Sequence, residues 1–342
     1  MNEHVTDPKE MKKAIRSGIR GALLTQGSAT IAELSKKLGL SFPTVSKFLS
    51  QMEEEGELAL AGMDDSSGGR RAKRYVYNPE YMLGLTVFLE KTETNYAVFN
   101  CLGEVKAQFH KASVLMEDLQ SLAEHIAEII EKYPRIRSLA VGVPASVHEG
   151  RITYIPGYER FDQADVKGYL EQRFSIPVAV ENDMNAAVLG YYHRLDHKNN
   201  PSLVYLYFGQ NGPGAGILVN GDVVRGSTFF SGEVSFIPQY DDRNFQQALY
   251  DGKKPEQAFL HEEGMDAVSR LVASFGAILN PNRIVFNRDE VNQAILDRIA
   301  DRSAVYFPAQ HLPELIVSDW KLDYIQGLQH LGLNLMITEP GI

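Results

Sequence analysis

The residues with the clearest chemistry in this chain are those that can hold DNA. Ser41, Thr44, Ser46, Lys47 and Gln51 fall in one short stretch, and Arg70, Arg71 and Lys73, with Arg74, follow in a Gly- and Ser-rich loop. Hydroxyl and amide side chains can read base edges in a major groove, while Lys and Arg neutralise backbone phosphates. That chemistry requires a helix to present the first set and a hairpin to present the second.

The sequence supplies both. Thr30-Ile31-Ala32-Glu33 fits a capping box, in which a Thr hydroxyl and a Glu three residues on satisfy two free amides at a helix start. Ile31, Leu34 and Leu38 give that helix one apolar face, and Gly39 stops it. Ser41 can cap the next helix, with Pro43 tolerated in its first turn. There Val45, Phe48, Leu49 and Met52 recur at helical spacing and face inward, which leaves Lys47 and Ser50 on the opposite side. Ile15, Ile19 and Leu23 mark an earlier helix that covers the pair. Glu57 to Ala61 and Arg74 to Tyr77 alternate like two strands joined by the basic loop, as in a DNA-binding wing. The bland alternative is a small helical bundle with a solvated basic turn. The order of cap, turn, helix and basic hairpin favours DNA.

Composition narrows the rest. The 342 residues carry a formal net charge of −10. Residues 1–80 hold 12 Lys and Arg against 11 Asp and Glu, so residues 81–342 carry −11. A modest basic patch on an acidic body fits a site-specific regulator better than a protein that coats nucleic acid. The single cysteine, Cys101, excludes an intramolecular disulfide framework and fits a reducing compartment. No apolar run is long enough for a membrane span and no signal-peptide pattern is visible, so the cytoplasm is expected and no membrane partner.

The chain divides near Asn78-Pro79, giving a head at 1–80 and a body at 81–342 of α/β texture. Strands are expected at 83–89, 96–100 and 104–109, a helix at 118–133, strands at 138–143 and 178–180, and a helix from 185. A second set follows: strands at 203–208, 214–219 and 222–225, a helix at 265–279, a strand at 283–286, a helix at 290–301, a strand at 314–317 and a last helix at 321–332. The three-strand opening occurs twice, at 83 and at 203, which points to two related α/β lobes.

These residues resemble a known family. Glu181-Asn182-Asp183-Met184-Asn185-Ala186-Ala187 is similar to the E-N-D-x-N-A-A signature of the ROK family of repressors, open reading frames and sugar kinases. Gly212-Pro213-Gly214-Ala215-Gly216-Ile217 resembles its glycine loop, and Gly221 to Gly226 with Ser231-Gly232-Glu233 resembles its A-G-E segment. Val141-Gly142-Val143-Pro144 resembles its G-x-P turn. The helix-turn-helix and the Gly68-Gly69-Arg70-Arg71 wing look like those of the repressor branch that includes the xylose repressors. The resemblance implies an actin-like, ribonuclease-H-like two-lobed body with an interlobe sugar site, and a homodimer or dimer of dimers. It places Asn182, Asp183, Glu233, Pro144 and Ala145 at the ligand. A carboxylate beside an amide suits hydroxyl recognition. The matching Asp is the general base in the kinase branch, and Asp183 is also a plausible helix cap.

Departures from the family pattern decide mechanism. The D-x-G-G-T phosphate loop is replaced by Thr86-Val87-Phe88-Leu89-Glu90, and the I-V-x-G-G loop by Ile284-Val285-Phe286-Asn287-Arg288. The lost glycines are those that permit close approach to phosphates. Phe236 stands at the family's zinc-ligand histidine and no cysteine follows it. His148, His193, His197 and His261 do not make up the set, so no metal and no cofactor is expected. The expectation is a DNA-binding repressor that responds to a sugar or sugar derivative and binds operator DNA, without catalytic residues. A bifunctional ATP-dependent sugar kinase is the first alternative. A regulator whose body serves only as a dimerisation scaffold is the second.

Overall fold

The computed structural model describes residues 7–63, 72–195, 200–209, 211–239, 241–250, 252, 259 and 261–338. The head comprises α1 (Pro8–Gln26), β1 (Ala29–Thr30), α2 (Ile31–Leu38), α3 (Phe42–Glu54), β2 (Leu58–Met63) and β3 (Lys73–Tyr77). Its local signals act as expected. The Thr30 hydroxyl accepts from the Glu33 amide at 3.3 Å and the Glu33 carboxylate accepts from the Thr30 amide at 2.7 Å, closing the capping box. Gly39 takes the left-handed conformation that ends α2, at φ 66°. Ser41 caps α3, whose Val45, Phe48, Leu49 and Met52 are all buried. β2 and β3 form the antiparallel hairpin, with a bulge between Leu60 and Gly62, and the short β1 pairs on β3 as a third strand. The wing tip at 64–71, including Arg70 and Arg71, lies outside the described residues.

The first lobe contains β4 (Leu83–Leu89), β5 (Glu93–Asn100), β6 (Val105–Ala112), α4 (Leu119–Lys132), β7 (Ile136–Val143), the hairpin β8 (Ser146–His148) and β9 (Arg151–Tyr154), α5 (Val166–Phe174), β10 (Val178–Asn182) and α6 (Asp183–Arg194). The second contains β11 (Leu203–Tyr207), β12 (Gly214–Val219), β13 (Asp222–Val223), α7 (Phe245–Tyr250), α8 (Glu262–Leu279), β14 (Arg283–Asn287), α9 (Gln293–Ser303), β15 (Glu314–Ser318) and α10 (Trp320–Thr338). The sheet orders are β10-β7-β4-β5-β6 and β13-β12-β11-β14-β15. Each is an antiparallel three-strand meander whose first strand is extended by two parallel strands. The two sheets thus share one topology, and the body is a duplicated, actin-like α/β fold.

Several boundaries differ from the sequence reading. The hairpin β8–β9 and the helices α5 and α7 were not anticipated. α6 begins at 183 rather than 185, β13 stops at 223, and α10 runs to 338, about 1.7 turns further than expected. That extension has a consequence for the head. Met336, 1% exposed, packs into the head's core with Met82, Phe99 and Cys101, and the Ser17 hydroxyl of α1 donates to the Ile337 carbonyl at 2.8 Å. Glu57, expected as an ordinary strand residue, is fully buried. It pairs with Arg20 and accepts from the Tyr77 hydroxyl at 3.0 Å, because a buried carboxylate needs such partners.

α6 and α10 lie against each other between the lobes. Their axes approach as closely as backbones permit at two glycines. A Cβ on Gly190 would stand 1.8 Å from the Asp323 carbonyl oxygen, and one on Gly327 would stand 1.9 Å from the Ala186 carbonyl oxygen. Met184, Val188, Tyr205, Trp320, Tyr324 and Leu328 build the apolar layer around this crossing. No described helix is long and apolar enough to cross a membrane.

Candidate functional site

Two places gather the expected residues. On the head, α3 presents Ser41, Lys47 and Gln51 exposed and Thr44 and Ser46 half-buried. The Ser41 hydroxyl is engaged in the cap, within 2.8 Å of the Thr44 hydroxyl. Lys73 is exposed at the start of β3. Arg74 was counted with the wing charges, but it turns back to the Glu33 carboxylate at 3.1 Å and to Ser28. It pins the hairpin to α2 rather than presenting a free charge.

The second place is a cavity of about 710 Å3 between the lobes. Its floor is the junction of β10 and α6. There Asn182, not Asp183, is the helix cap: its side-chain oxygen accepts from the Met184 and Asn185 amides at 2.9 and 3.0 Å. The Asn182 amide group donates to the Ala145 carbonyl at 3.0 Å, tying the cap to the turn after β7. Ala145 is itself buried and supplies that backbone oxygen, whereas Pro144 lines the cavity. Asp183 is thus spared the capping role. It takes one amide, from Met184 at 2.8 Å, and faces the cavity. Beneath it Glu181 is buried against Asn185 and Arg225, which braces the signature helix from the second lobe.

Glu233 reaches the same cavity from the other lobe, where it accepts from the Ser146 hydroxyl of β8 at 3.1 Å. Burial pushes the Asp183 carboxyl up to about 7; the nearby Glu233 charge pushes the same way, against the Met184 amide. Burial also raises Glu233, against the Ser146 hydroxyl. A carboxyl held near neutral pH, as Asp183 is, can accept from a hydroxyl or, when protonated, donate to one, and Glu233 offers a second carboxyl across the cleft. This suits an uncharged polyol and penalises an anion. A further interlobe bond, from the Tyr158 hydroxyl to the Asn211 side-chain oxygen at 2.8 Å, closes one side. Ser146 and Tyr158 have no distinguishing mark in the sequence and belong to the site only because the β8–β9 hairpin and the segment after it fold over the cleft, whereas Asn211 stands beside the glycine loop, where the family usually has a hydroxyl residue.

The positions of the altered phosphate loops are filled. Phe88 is 3% exposed and packs on Tyr324, with ring centroids 5.2 Å apart. Thr86 is buried and donates to the Ala97 carbonyl at 3.3 Å. Glu90 is tied to Lys321 at 3.2 Å. Phe286 is fully buried, and Arg288 pairs with Asp319 at 2.7 Å. Of the histidines weighed as ligands, His261 caps α8 by accepting from the Gly264 amide at 3.1 Å. His148 stacks on Phe229 at 4.1 Å, His193 stacks on His330, and His197 lies outside the described residues.

Comparison with known proteins agrees with this geometry. The ROK family model matches residues 87–245, and a model for winged helix-turn-helix DNA-binding segments matches residues 21–56. The chain carries a ROK family domain behind a winged helix-turn-helix head. It is 26% identical over 212 residues to the xylose repressor of Caldicellulosiruptor bescii, covering 59% of this chain and 53% of that protein. It is 24% identical to the xylose repressor of Bacillus subtilis, covering 67% and 62%, and 26% identical to the N-acetylglucosamine repressor of Escherichia coli O157:H7, covering 67% and 58%. The chain therefore spans between half and two thirds of the length of these relatives. Among solved structures, a ROK family transcriptional regulator described as a homolog of the E. coli MLC protein superposes with a TM-score of 0.67 at 18% identity, over 96% of this chain and 99% of that one. A ROK family glucokinase from Streptomyces griseus in complex with glucose and AMPPNP gives 0.59 at 16%, over 73% and 99%. The likeness to these structures concerns the fold.

Proposed function

We propose that the chain is a cytoplasmic, sugar-responsive transcriptional repressor without kinase activity. Residues 1–80 bind a palindromic operator as part of a homodimer or dimer of dimers, and residues 81–342 sense a sugar or sugar derivative between the lobes. Asp183 and Glu233 accept its hydroxyls, with Asn182 and Pro144 shaping the floor. The relatives named for xylose and N-acetylglucosamine make pentose and N-acetylhexosamine units the first to try.

The observation that carries the reading is the course of α10. At its start Trp320 stacks on the cavity-lining Tyr207, centroids 4.2 Å apart and 4° from parallel. At its end Met336 sits in the core of the head. One rod, about 28 Å long by its residue count, joins the ligand cavity to the DNA-binding unit. It crosses α6, whose first residue is Asp183. A ligand that binds one lobe arrangement better than another shifts α10, and with it the pose of the head on DNA.

Two measurements test the two halves. Lys47→Ala and Arg70→Ala are each expected to weaken operator binding and to lower the slope of log affinity against log salt by about one. Anisotropy titrations across salt read this directly, and unchanged affinity and slope in both variants would remove α3 and the wing from the interface. For the body, no ATP-dependent phosphorylation of sugars is expected, because Phe88 and Leu89 in the first phosphate loop, and Asn287 and Arg288 in the second, occupy the glycine positions. The kinase alternative rests on the poised Asp183 carboxyl. ADP release that is coupled to sugar and lost in Asp183→Asn would establish it instead.

A further inference from the structure

The mouth of the cavity carries an exposed aromatic cluster that a repressor sensing one sugar ring does not need. Tyr154 of β9 and Phe236 line the cavity, and Phe230 packs against both. The centroid distances are 6.2 Å for Tyr154 to Phe236, 5.4 Å for Tyr154 to Phe230 and 5.6 Å for Phe230 to Phe236. Phe236 is 50% exposed and Phe230 39%. Exposed aromatic surface clustered at the rim of a polar cleft marks a place where something apolar is laid down.

Backbone geometry sets these rings around the acid. The Glu233 amide donates to the Phe230 carbonyl at 3.4 Å and the Phe236 amide donates to the Glu233 carbonyl at 3.3 Å. The chain therefore coils round Glu233, with one phenylalanine three residues to either side. Tyr154 comes from the opposite lobe, on the hairpin whose Ser146 bonds Glu233. Carboxyls lie at the floor and flat apolar faces at the lip.

A pyranose or furanose ring has the matching two-sided chemistry: hydroxyls around its rim and a patch of C–H groups on one face. A ring at the floor satisfies the carboxyls. A second ring joined to it by a glycosidic bond emerges at the lip, where its C–H face can lie on an aromatic ring. The cavity volume, about 710 Å3, is in the range that engulfs drug-sized ligands and leaves room beyond one sugar. Resting on the reading of the cavity as a sugar site, we propose that Phe236, Tyr154 and Phe230 form a second carbohydrate subsite, and that the effector is a glycoside of at least two rings rather than a free monosaccharide.

The test uses the full chain and matched pairs of ligands: xylose and xylobiose, glucose and cellobiose, N-acetylglucosamine and its β-1,4-linked dimer. Calorimetry gives the affinity ratio of two rings to one. A ratio of about ten is expected in at least one pair, the size of a single good stacking contact. Phe236→Leu, which keeps apolar bulk but loses the flat face, should bring the ratio close to one, and Phe236→Trp should restore it. The side chain is half in solvent, so the fold is not at stake in either variant. If one-ring sugars bind and no two-ring partner binds more tightly, or if the ratio survives Phe236→Leu, the subsite is overturned and the sugar site stands. If neither length binds in any pair, the sugar reading falls and the subsite with it.

Discussion

Gly327→Ala is expected to lower the stability of the body by about 3 kcal/mol, and to blunt the release of operator by effector more than it weakens operator binding itself. The added methyl would lie 1.9 Å from the Ala186 carbonyl oxygen and 2.7 Å from its carbon, both backbone atoms of α6. No rotamer change relieves that contact, so the helices must part. Overpacking in a tight interior typically costs about 1–3 kcal/mol, and a clash with backbone belongs at the upper end. The parted helices are the same two that carry the cavity floor and the prop beneath the head, which is why regulation should suffer beyond stability. Thermal unfolding followed by the fluorescence of Trp320, the single tryptophan of the chain, reads the loss of stability, and an operator-release titration with effector reads the loss of regulation. Leu322→Ala on the same helix is the control, since Leu322 is 41% exposed and its loss should change stability by no more than about 0.5 kcal/mol. A wild-type midpoint with normal operator release in Gly327→Ala would show that the α6–α10 crossing is not the path between the sites.

What was legible in the sequence was what is local. The Thr30–Glu33 box, the Gly39 stop and the Ser41 cap each lie within a few residues of their partners, and all three act as their spacing implies. The buried strands of both lobes were legible because runs such as Leu83–Leu89 are apolar but for Thr86, and the whole run is buried. α5 was not, because only Val166 and Leu170 of its nine residues are buried, too few to set a helical period. The hairpin β8–β9 has three and four residues and looks like loop. Partners distant in sequence were invisible: Arg74 belongs to Glu33 and Arg20 to Glu57 across 41 and 37 positions. Within the site, the cap went to the wrong neighbour. β10 continues through Asn182, so the helix starts one residue after the amide rather than after the acid. That shift of one residue gives the capping role to Asn182, which still lines the cavity, and leaves Asp183 to face the cavity beside it. The aromatic lip could be read only once Tyr154 was placed opposite Phe236, 82 residues away in the chain.

Asp183→Ala is expected to cost the effector about ten- to a hundredfold in affinity, because a sugar hydroxyl that loses its buried acceptor forfeits about 1–3 kcal/mol. Operator binding without effector should be unchanged, since the acid lies in the cavity and α3 in the head. The pH dependence separates this role from a structural one. Burial holds the Asp183 carboxyl at about 7 in the folded chain, well above the ordinary aspartate value of 3.8. The folded state therefore binds more protons than the unfolded state between these limits, and stability falls as pH rises from about 4 to 7. Glu290, raised by burial to about 8 although it accepts from the Phe208 amide, adds a fall of the same sign that reaches slightly higher pH. Asp183→Asn, which cannot ionise, should flatten the Asp183 part of the slope and leave the Glu290 part. Effector affinity should run the other way, rising from pH 6 to pH 8, since a carboxylate accepts from a hydroxyl more strongly than a neutral acid does. The measurements are denaturant unfolding and calorimetric titration at matched pH on the wild type, Asp183→Asn and Asp183→Ala. If all three bind the effector alike and share one stability profile, Asp183 is only the first residue of α6, and the groups that hold the sugar must be sought at Glu233 and the aromatic lip.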